Sequence, residues 1–284
     1  MFGPTRSTYA QFIIVVLIFF CAHGSFLIIN GVGGGGLKDP QVSAMGNMIS
    51  SIAQCIIGFF AGAIYNILGP RMSLLLGMSA YLFFAVSFLI CYLTEFPYIV
   101  HIAGAYFGLA NPIFWTAQGT LMLTYPTEQN KGKYITTFFL GFSACGVIGG
   151  LLVYIMYLTG DGNGFGVPFY LASISTAALG TALVFTLKPD SALVRDDGSA
   201  VQKKEFDGLK SELKGVMGIF TSKHMWILTP VFMTLGMPFA YYSNVFNFAL
   251  FRGDGKGMNM IFYSIFGMIG SLAFGYYVDH VKFP

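Results

Sequence analysis

An all-α, multi-pass bundle of membrane-spanning helices is the fold class that three observations predict. Of 284 residues, 55% are hydrophobic and only 10% charged, with a mean hydropathy of +0.70. A soluble domain carries about 25% charged residues. All 27 Asp, Glu, Lys and Arg residues fall between the apolar runs or at their ends, and none sits deep inside one. Each run is long enough to cross roughly 30 Å of hydrocarbon at about 1.5 Å per residue. The bilayer is therefore the expected surrounding, and nucleic acid is not an expected partner.

Eight runs qualify, at about 10–32, 42–66, 72–93, 98–123, 134–158, 166–187, 225–250 and 259–279. The first imitates a secretory signal, with Arg6, an apolar core from Phe12 to Ala22 and a small-residue site at Ala22-His23-Gly24, but continues to Ile29 and so reads as an uncleaved span. With the N-terminus in the cytosol, 12 of the 15 Lys and Arg residues lie inside and only Lys38, Arg252 and Lys256 outside, as the positive-inside rule favours. Cys21, Cys55, Cys91 and Cys145 lie within apolar runs without metal or redox spacing and read as small core residues.

Between spans six and seven lies the one long polar segment, Lys188 to Lys223, read as a cytosolic linker over 188–224. Its Phe206, Leu209, Leu213 and Val216 recur at helical intervals, which fits a short amphipathic helix against the membrane or bundle; a solvated linker fits equally. Six spans, a linker and further spans suit a transporter of two six-helix halves. The expected division is 1–187 as the first half, 188–224 as linker and 225–284 as two helices of the second, about eight of twelve spans. The sequence is accordingly expected to be part of a longer chain.

A short internal repeat agrees with two halves: GAIYNILGPR (Gly62 to Arg71) and GYYVDHVKFP (Gly275 to Pro284) both place a polar side chain four residues after a glycine, Asn66 and Asp279.

Polar residues inside the spans follow helical spacing. In span four, His101, Gly104, Gly108, Asn111, Trp115 and Gln118 occupy one face, and Pro112 is expected to bend the helix beside Asn111. In span two, Ser43, Asn47, Ser50 and Gln54 share a face; in span one, His23 and Asn30 share a side; span seven carries Pro230 and Pro238, then Tyr241, Tyr242, Ser243, Asn244 and Asn247, the pattern of a broken helix. Neutral hydrogen-bonding groups on several helices suggest a central cavity, with Asn47, Gln54, Asn111, Trp115, Gln118, Asn244 and Asn247 as candidate solute-binding residues. Satisfied amides on a glycine-relieved packing face explain the span-four pattern equally well. No carboxylate is embedded, so His23 and His101 are the titratable candidates for proton coupling, against the alternative of structural histidines. The glycine run from Gly33 to Gly36 lacks the Lys-Ser/Thr of a phosphate loop, and no nucleophile–base cluster or cofactor motif is present, so no enzyme is expected.

Three strings carry a family resemblance: the glycine-rich Asn30 to Gly36 after span one, FWTAQGTLMLTYP from Phe114 to Pro126, and GAIYNILGPRMSLLLG from Gly62 to Gly77. They resemble the major facilitator superfamily, and within it the Unc-93-like branch, the ion channel regulatory protein family, in its fungal type. The resemblance implies alternating access for a small polar solute or ion, or a non-transporting accessory or trafficking subunit for another membrane protein such as a channel. It makes Gly62, Asn66, Gly69, Arg71, Gly275 and Asp279 a loop motif with a gating role. This chain departs from the family's pattern at Asn66, where an acidic residue is usual, which leaves Arg71 without a built-in carboxylate partner. Gly141 to Gly150 resembles the antiporter signature only faintly, and Gly146 with Gly150 reads as a small-xxx-small packing pair.

Overall fold

The computed structural model describes residues 7–31, 34–159, 166–189, 193–195, 197–199, 208–241, 246, 250–251 and 255–280. Over these the chain is helical: α1 (Thr8–Gly31), α2 (Pro40–Gly58), α3 (Ala61–Thr94), α4 (Tyr98–Thr124), α5 (Lys131–Thr159), α6 (Val167–Val184), α7 (Leu209–Phe220), α8 (Lys223–Tyr241) and α9 (Gly255–His280). A single backbone bridge, Ser7 to Val194, is the sole strand-like pairing among the described residues.

Among the described residues, five helical segments are long and apolar enough to cross a membrane: Thr8–Gly31, Ala61–Thr94, Lys131–Leu152, Val167–Val184 and Gly257–Tyr277. Helices α2 and α4 are long enough and fall short on composition, for a physical reason. Both carry the polar stripes, and each amide or hydroxyl lowers the mean hydropathy of a helix that still needs protein partners around it.

The boundary between expected spans two and three is corrected. Helix α2 ends at Gly58, a turn follows at Phe59 and Phe60, and a helix resumes at Ala61. That helix is broken at Gly69 (φ 75°, ψ 173°), immediately before Pro70. Proline has no N–H and disfavours helical geometry in the residue before it, and glycine tolerates the positive φ. Residues 61–68 and 70–94 are thus two helical segments meeting at a sharp corner. Helix α4, by contrast, remains one helix through Pro112.

Helices α5, α1, α6, α3, α4 and α2 pack as successive neighbours, and α9 lies along α5. In lipid no hydrophobic force draws such helices together, so close van der Waals contact must. Small residues supply it. A β-carbon on Gly104 would sit 2.4 Å from the Gly46 carbonyl oxygen, and one on Gly108 2.4 Å from that of Ser50, so α2 and α4 touch backbone to backbone. Along α5 and α9, Gly146 faces Ser264, Gly150 and Gly257 approach each other's carbonyls, and Gly275 meets Thr136, whose hydroxyl donates to the Ser271 carbonyl. Gly146 and Gly150 are therefore packing positions, as their spacing suggests. Cys21, Cys91 and Cys145 are buried; Cys55 is exposed instead, on the outer side of α2 with Ile52 and Ile56.

The aromatic core is nearly closed. Phe19 of α1 stacks on Phe114 of α4 at 4.0 Å between ring centres, and Phe84, Phe88, Phe138, Tyr134 and Tyr170 are all under 2% exposed. At the end of the bundle bearing Arg71, Lys131 and Lys133, Thr8 shares a hydrogen bond with Tyr134, the Lys188 N–H donates to Gln11, and Lys133 lies 3.9 Å over the Tyr9 ring.

Helix α7 forms where the linker's apolar spacing suggests one, and its Phe220 ring lies 5.0 Å from Phe59 at the α2–α3 corner. The segment before it is not merely solvated. Leu193 is 2% exposed in the core, Val194 pairs with Ser7, and Arg195 donates twice to the Thr124 carbonyl at 3.0 and 2.6 Å, capping α4.

Replacing Gly108 with alanine should lower the melting temperature of the detergent-solubilised protein, because overpacking of this kind typically costs about 1–3 kcal/mol. Gly119→Ala on the same helix has open space within 4 Å and should leave stability equal or slightly raised. Equal melting of the two variants would contradict the backbone contact between α2 and α4.

Candidate functional site

The polar stripes form two hydrogen-bonded groups of amides that share α2. On α1, Asn30 donates to the Phe26 carbonyl and accepts from Asn47 of α2 at 2.9 Å. Two turns along α2, Gln54 donates to Ser50 at 3.0 Å and accepts from Asn111 of α4 at 2.9 Å. The Asn111 oxygen accepts from the Tyr81 hydroxyl of α3 at 3.1 Å. Ser50 and Asn111 are buried, while Asn30, Asn47 and Gln54 are partly exposed. The glycine contacts are what make this geometry reachable. With α2 backbone against Gly104 and Gly108, a short Asn on α4 can touch a Gln on α2 without either side chain stretching.

Beside the amides stands a group of rings. His23 of α1 stacks on Phe142 of α5 at 4.2 Å, and Trp115 of α4 meets Phe142 edge-on at 5.7 Å. Phe26 stacks on Phe107 at 5.6 Å and on Phe84 at 5.9 Å. His23, Phe26, Trp115 and Phe142 are each partly exposed. Behind them, Phe19, Phe84, Phe107, Phe114 and Phe138 are buried and hold the front rings in place.

The expected single face of α4 is thus divided, because different neighbours meet it at different heights. Gly104 and Gly108 face α2, Asn111 joins α2 to α3, and Trp115 turns toward α1 and α5. Gln118 is buried and donates to the Met122 sulfur at 3.4 Å, apart from the amide set. The two histidines have different surroundings: His23 belongs to the ring group, whereas His101 lies edge-on to Tyr98 at 6.0 Å with its Nε2 buried and without a hydrogen-bond partner. Asn244 and Asn247 lie outside the described residues.

The loop-motif residues are placed as follows. Gly69 forms the corner. Arg71 compensates for the missing carboxylate by donating to the Phe185 carbonyl at the end of α6 at 3.2 Å, with its guanidinium 5.9 Å from that residue's ring. A cation suits the negative end of a helix. Asn66 is partly exposed, Gly62 has open space around it, and Gly275 packs on α5. Asp279 lies near the end of α9, and its side chain is outside the described residues.

At the opposite end of the bundle lies a feature the polar stripes do not announce. A cavity of about 260 Å³ is lined by Leu37, Val42, Cys91, Tyr92 and Pro97, with Lys38, Asp39 and Glu95 among its polar lining. Lys38 and Glu95 pair at 2.5 Å across two different loops. Glu95 caps α3 with φ 55°, the one left-handed non-glycine residue among those described. Glycine or asparagine is usual there, so the backbone is held against its preference. The Gly34–Gly36 turn is pinned beneath: Tyr170 donates to the Gly35 carbonyl at 3.1 Å, and Gly35 packs on Phe88. Sequence spacing could not pair residues 57 positions apart.

Comparison with known proteins agrees with this architecture. The model of the Major Facilitator Superfamily matches residues 12–283. The chain belongs to that superfamily. It is an integral, multi-pass membrane protein of the facilitator type. It is 31% identical over 275 residues to UNC93-like protein 1 of Arabidopsis thaliana, covering 96% of this chain and 60% of the relative. An UNC93-like protein of Schizosaccharomyces pombe is 30% identical over 280 residues, 98% of this chain and 55% of its own length. A protein named for the notoamide biosynthesis cluster of Aspergillus versicolor is 24% identical over 275 residues, 96% of this chain. The chain spans 55–60% of the length of the two UNC93-like relatives.

Two measurements follow. A double-mutant cycle with Gln54→Leu and Asn111→Leu should return a coupling of about 0.5–2 kcal/mol in thermal or denaturant unfolding, with each single change costing more than its share of the double. Additive effects would separate the two amides. At the loop pair, the hydrogen bond and charge of Lys38 hold the Glu95 carboxyl below its ordinary value of 4.5, and Glu95 raises Lys38 above 10.5. The bond is complete at neutral pH and is lost as pH falls through the lowered Glu95 range. Glu95→Gln should speed modification of Cys91 by a small thiol reagent added at fixed, neutral pH to the sealed, reconstituted protein; an unchanged rate would show that the pair does not cover the cavity.

Proposed function

We propose that this chain forms the larger part of a facilitator-type carrier that moves a small polar solute or ion by alternating access. One observation carries the reading: uncharged amides and rings, most of them partly exposed, are brought together on α1, α2, α4 and α5. Polar groups at membrane depth occur where they meet protein partners or a water-filled cavity, and they mark solute paths. In this reading residues 1–187 are one half, 188–224 a cytosolic linker strapped to it by Leu193 and Arg195, and 225–284 the start of the other half. Asn47, Gln54, Asn111, Trp115 and Gln118 then serve the solute, and the Gly69 corner with Arg71 serves the gate. The long glycine contact between α5 and α9 supports a surface on which two halves rock.

A second reading has support of its own. The amides satisfy one another, and Arg71 engages a carbonyl where a carboxylate would be usual. Both suit an accessory or trafficking subunit for another membrane protein.

Solute flux through the full-length protein reconstituted in liposomes tells them apart. For a carrier, Asn47→Ala and Gln118→Ala should each lower the rate about tenfold or more, because polar contacts of this size are worth roughly 1–3 kcal/mol when lost. Absence of flux, together with co-purification of a channel or receptor from native membranes, would favour the accessory role.

A further inference from the structure

The ring group narrows the solute class, on the reading that this face binds a solute. Four partly exposed rings, His23, Phe26, Trp115 and Phe142, come from three helices and stand in front of a buried aromatic layer. Phe19 fixes Trp115 edge-on at 5.2 Å, and Phe84 and Phe107 stack behind Phe26. Rings held this way lose little freedom when another ring joins them, which is the condition for tight stacking. A bundle that needed only bulk would fill the face with branched aliphatic residues.

Charge decides what kind of ring. The sequences of α1, α2 and α4 contain no Asp, Glu, Lys or Arg, and α5 carries Lys131 and Lys133 in its first turn alone. An anion would find no embedded cation on these helices. A cation would exchange its hydration for ring faces and amide oxygens without any carboxylate, and attraction by a ring does not offset the loss of water around a buried charge. The amides favour a solute able both to donate and to accept. Asn30 lies one helical turn beyond Phe26 on α1, its side chain bonded to the Phe26 backbone carbonyl, and Asn47 is bonded to Asn30.

We propose that the face on α1, α2, α4 and α5 binds an uncharged organic solute with a planar ring and amide-like donors and acceptors. The ring packs among His23, Phe26, Trp115 and Phe142, and the polar edge meets Asn30 and Asn47.

Equilibrium binding to the full-length protein in lipid nanodiscs tests this with three probes of graded chemistry: benzamide, its cationic counterpart benzamidinium, and the non-aromatic polyol myo-inositol. Benzamide should bind saturably, benzamidinium at least tenfold more weakly, and myo-inositol should not compete. Phe142→Leu, which keeps an apolar side chain of similar bulk, should weaken benzamide about tenfold with an unchanged melting temperature, and Asn47→Ala should weaken it further. Equal binding of myo-inositol, preference for benzamidinium, or indifference of benzamide to both substitutions would overturn the assignment. The outcome is separable from transport itself. Benzamide that binds as expected but is never carried would refute only the carrier reading, whereas flux of a polyol without benzamide binding would refute only this one.

Discussion

Every polar group within a bilayer must find its partner in the protein, and that single requirement organises this fold. An amide left alone in hydrocarbon costs several kcal/mol, on the order of 4–8 on scales in which nothing can hydrogen-bond. Asn30, Asn47, Gln54 and Asn111 escape the cost by bonding across helices. Gln54 and Asn111 can do so because Gly46, Gly104 and Gly108 remove the side chains that would hold α2 and α4 apart. These glycines and the α2–α4 amide pair are therefore one device: a bulky side chain at any of the three would lengthen the Gln54–Asn111 bond even though it touches neither amide.

The same rule governs the helix ends. A helix leaves its last carbonyls without internal partners, and within a bundle these need donors. Arg195 supplies two N–H groups to the end of α4, and Arg71 supplies one to the end of α6. Both arginines come from other segments, so each cap is also a tie. Arg71 follows the Gly69–Pro70 corner within α3, so its bond ties that corner to the end of α6. Arg195 draws the start of the linker beneath the bundle, where Leu193 is buried and Val194 meets Ser7.

Much of this was legible in the sequence, and the reasons for the rest are specific. The apolar runs declared the helices because lipid imposes length and hydropathy together. Polar spacing singled out Asn47, Gln54 and Asn111, which bond across helices, since helical periodicity survives folding. Spacing alone could not divide the α4 face between three neighbours, because that division depends on which helix lies alongside at each height. Nor could it foresee that Phe59 and Phe60 interrupt the second span, or that Cys55 faces outward. Glu95 was hidden for another reason: it caps α3 in a left-handed conformation against the local preference of glutamate, and its side-chain partner Lys38 lies far away in sequence.

Mutual satisfaction of the amides does not by itself close the face to a solute. A side-chain amide offers two N–H donors and an oxygen with two acceptor sites. The bonds described use one N–H of Asn47, one of Gln54 and one of Asn111, so each of these amides keeps a second N–H. A solute bonding there adds to the set without first breaking it. Breaking a pair would forfeit about 0.5–1.5 kcal/mol before any gain, enough to favour the additive route. Asn47 and Gln54, partly exposed, are better placed for this than Asn111, which is buried behind them and bonded to Tyr81 as well. Asn111 and Tyr81 then act as a fixed anchor. The exposed amides do the adapting, and the rings beside them decide the shape of what is admitted.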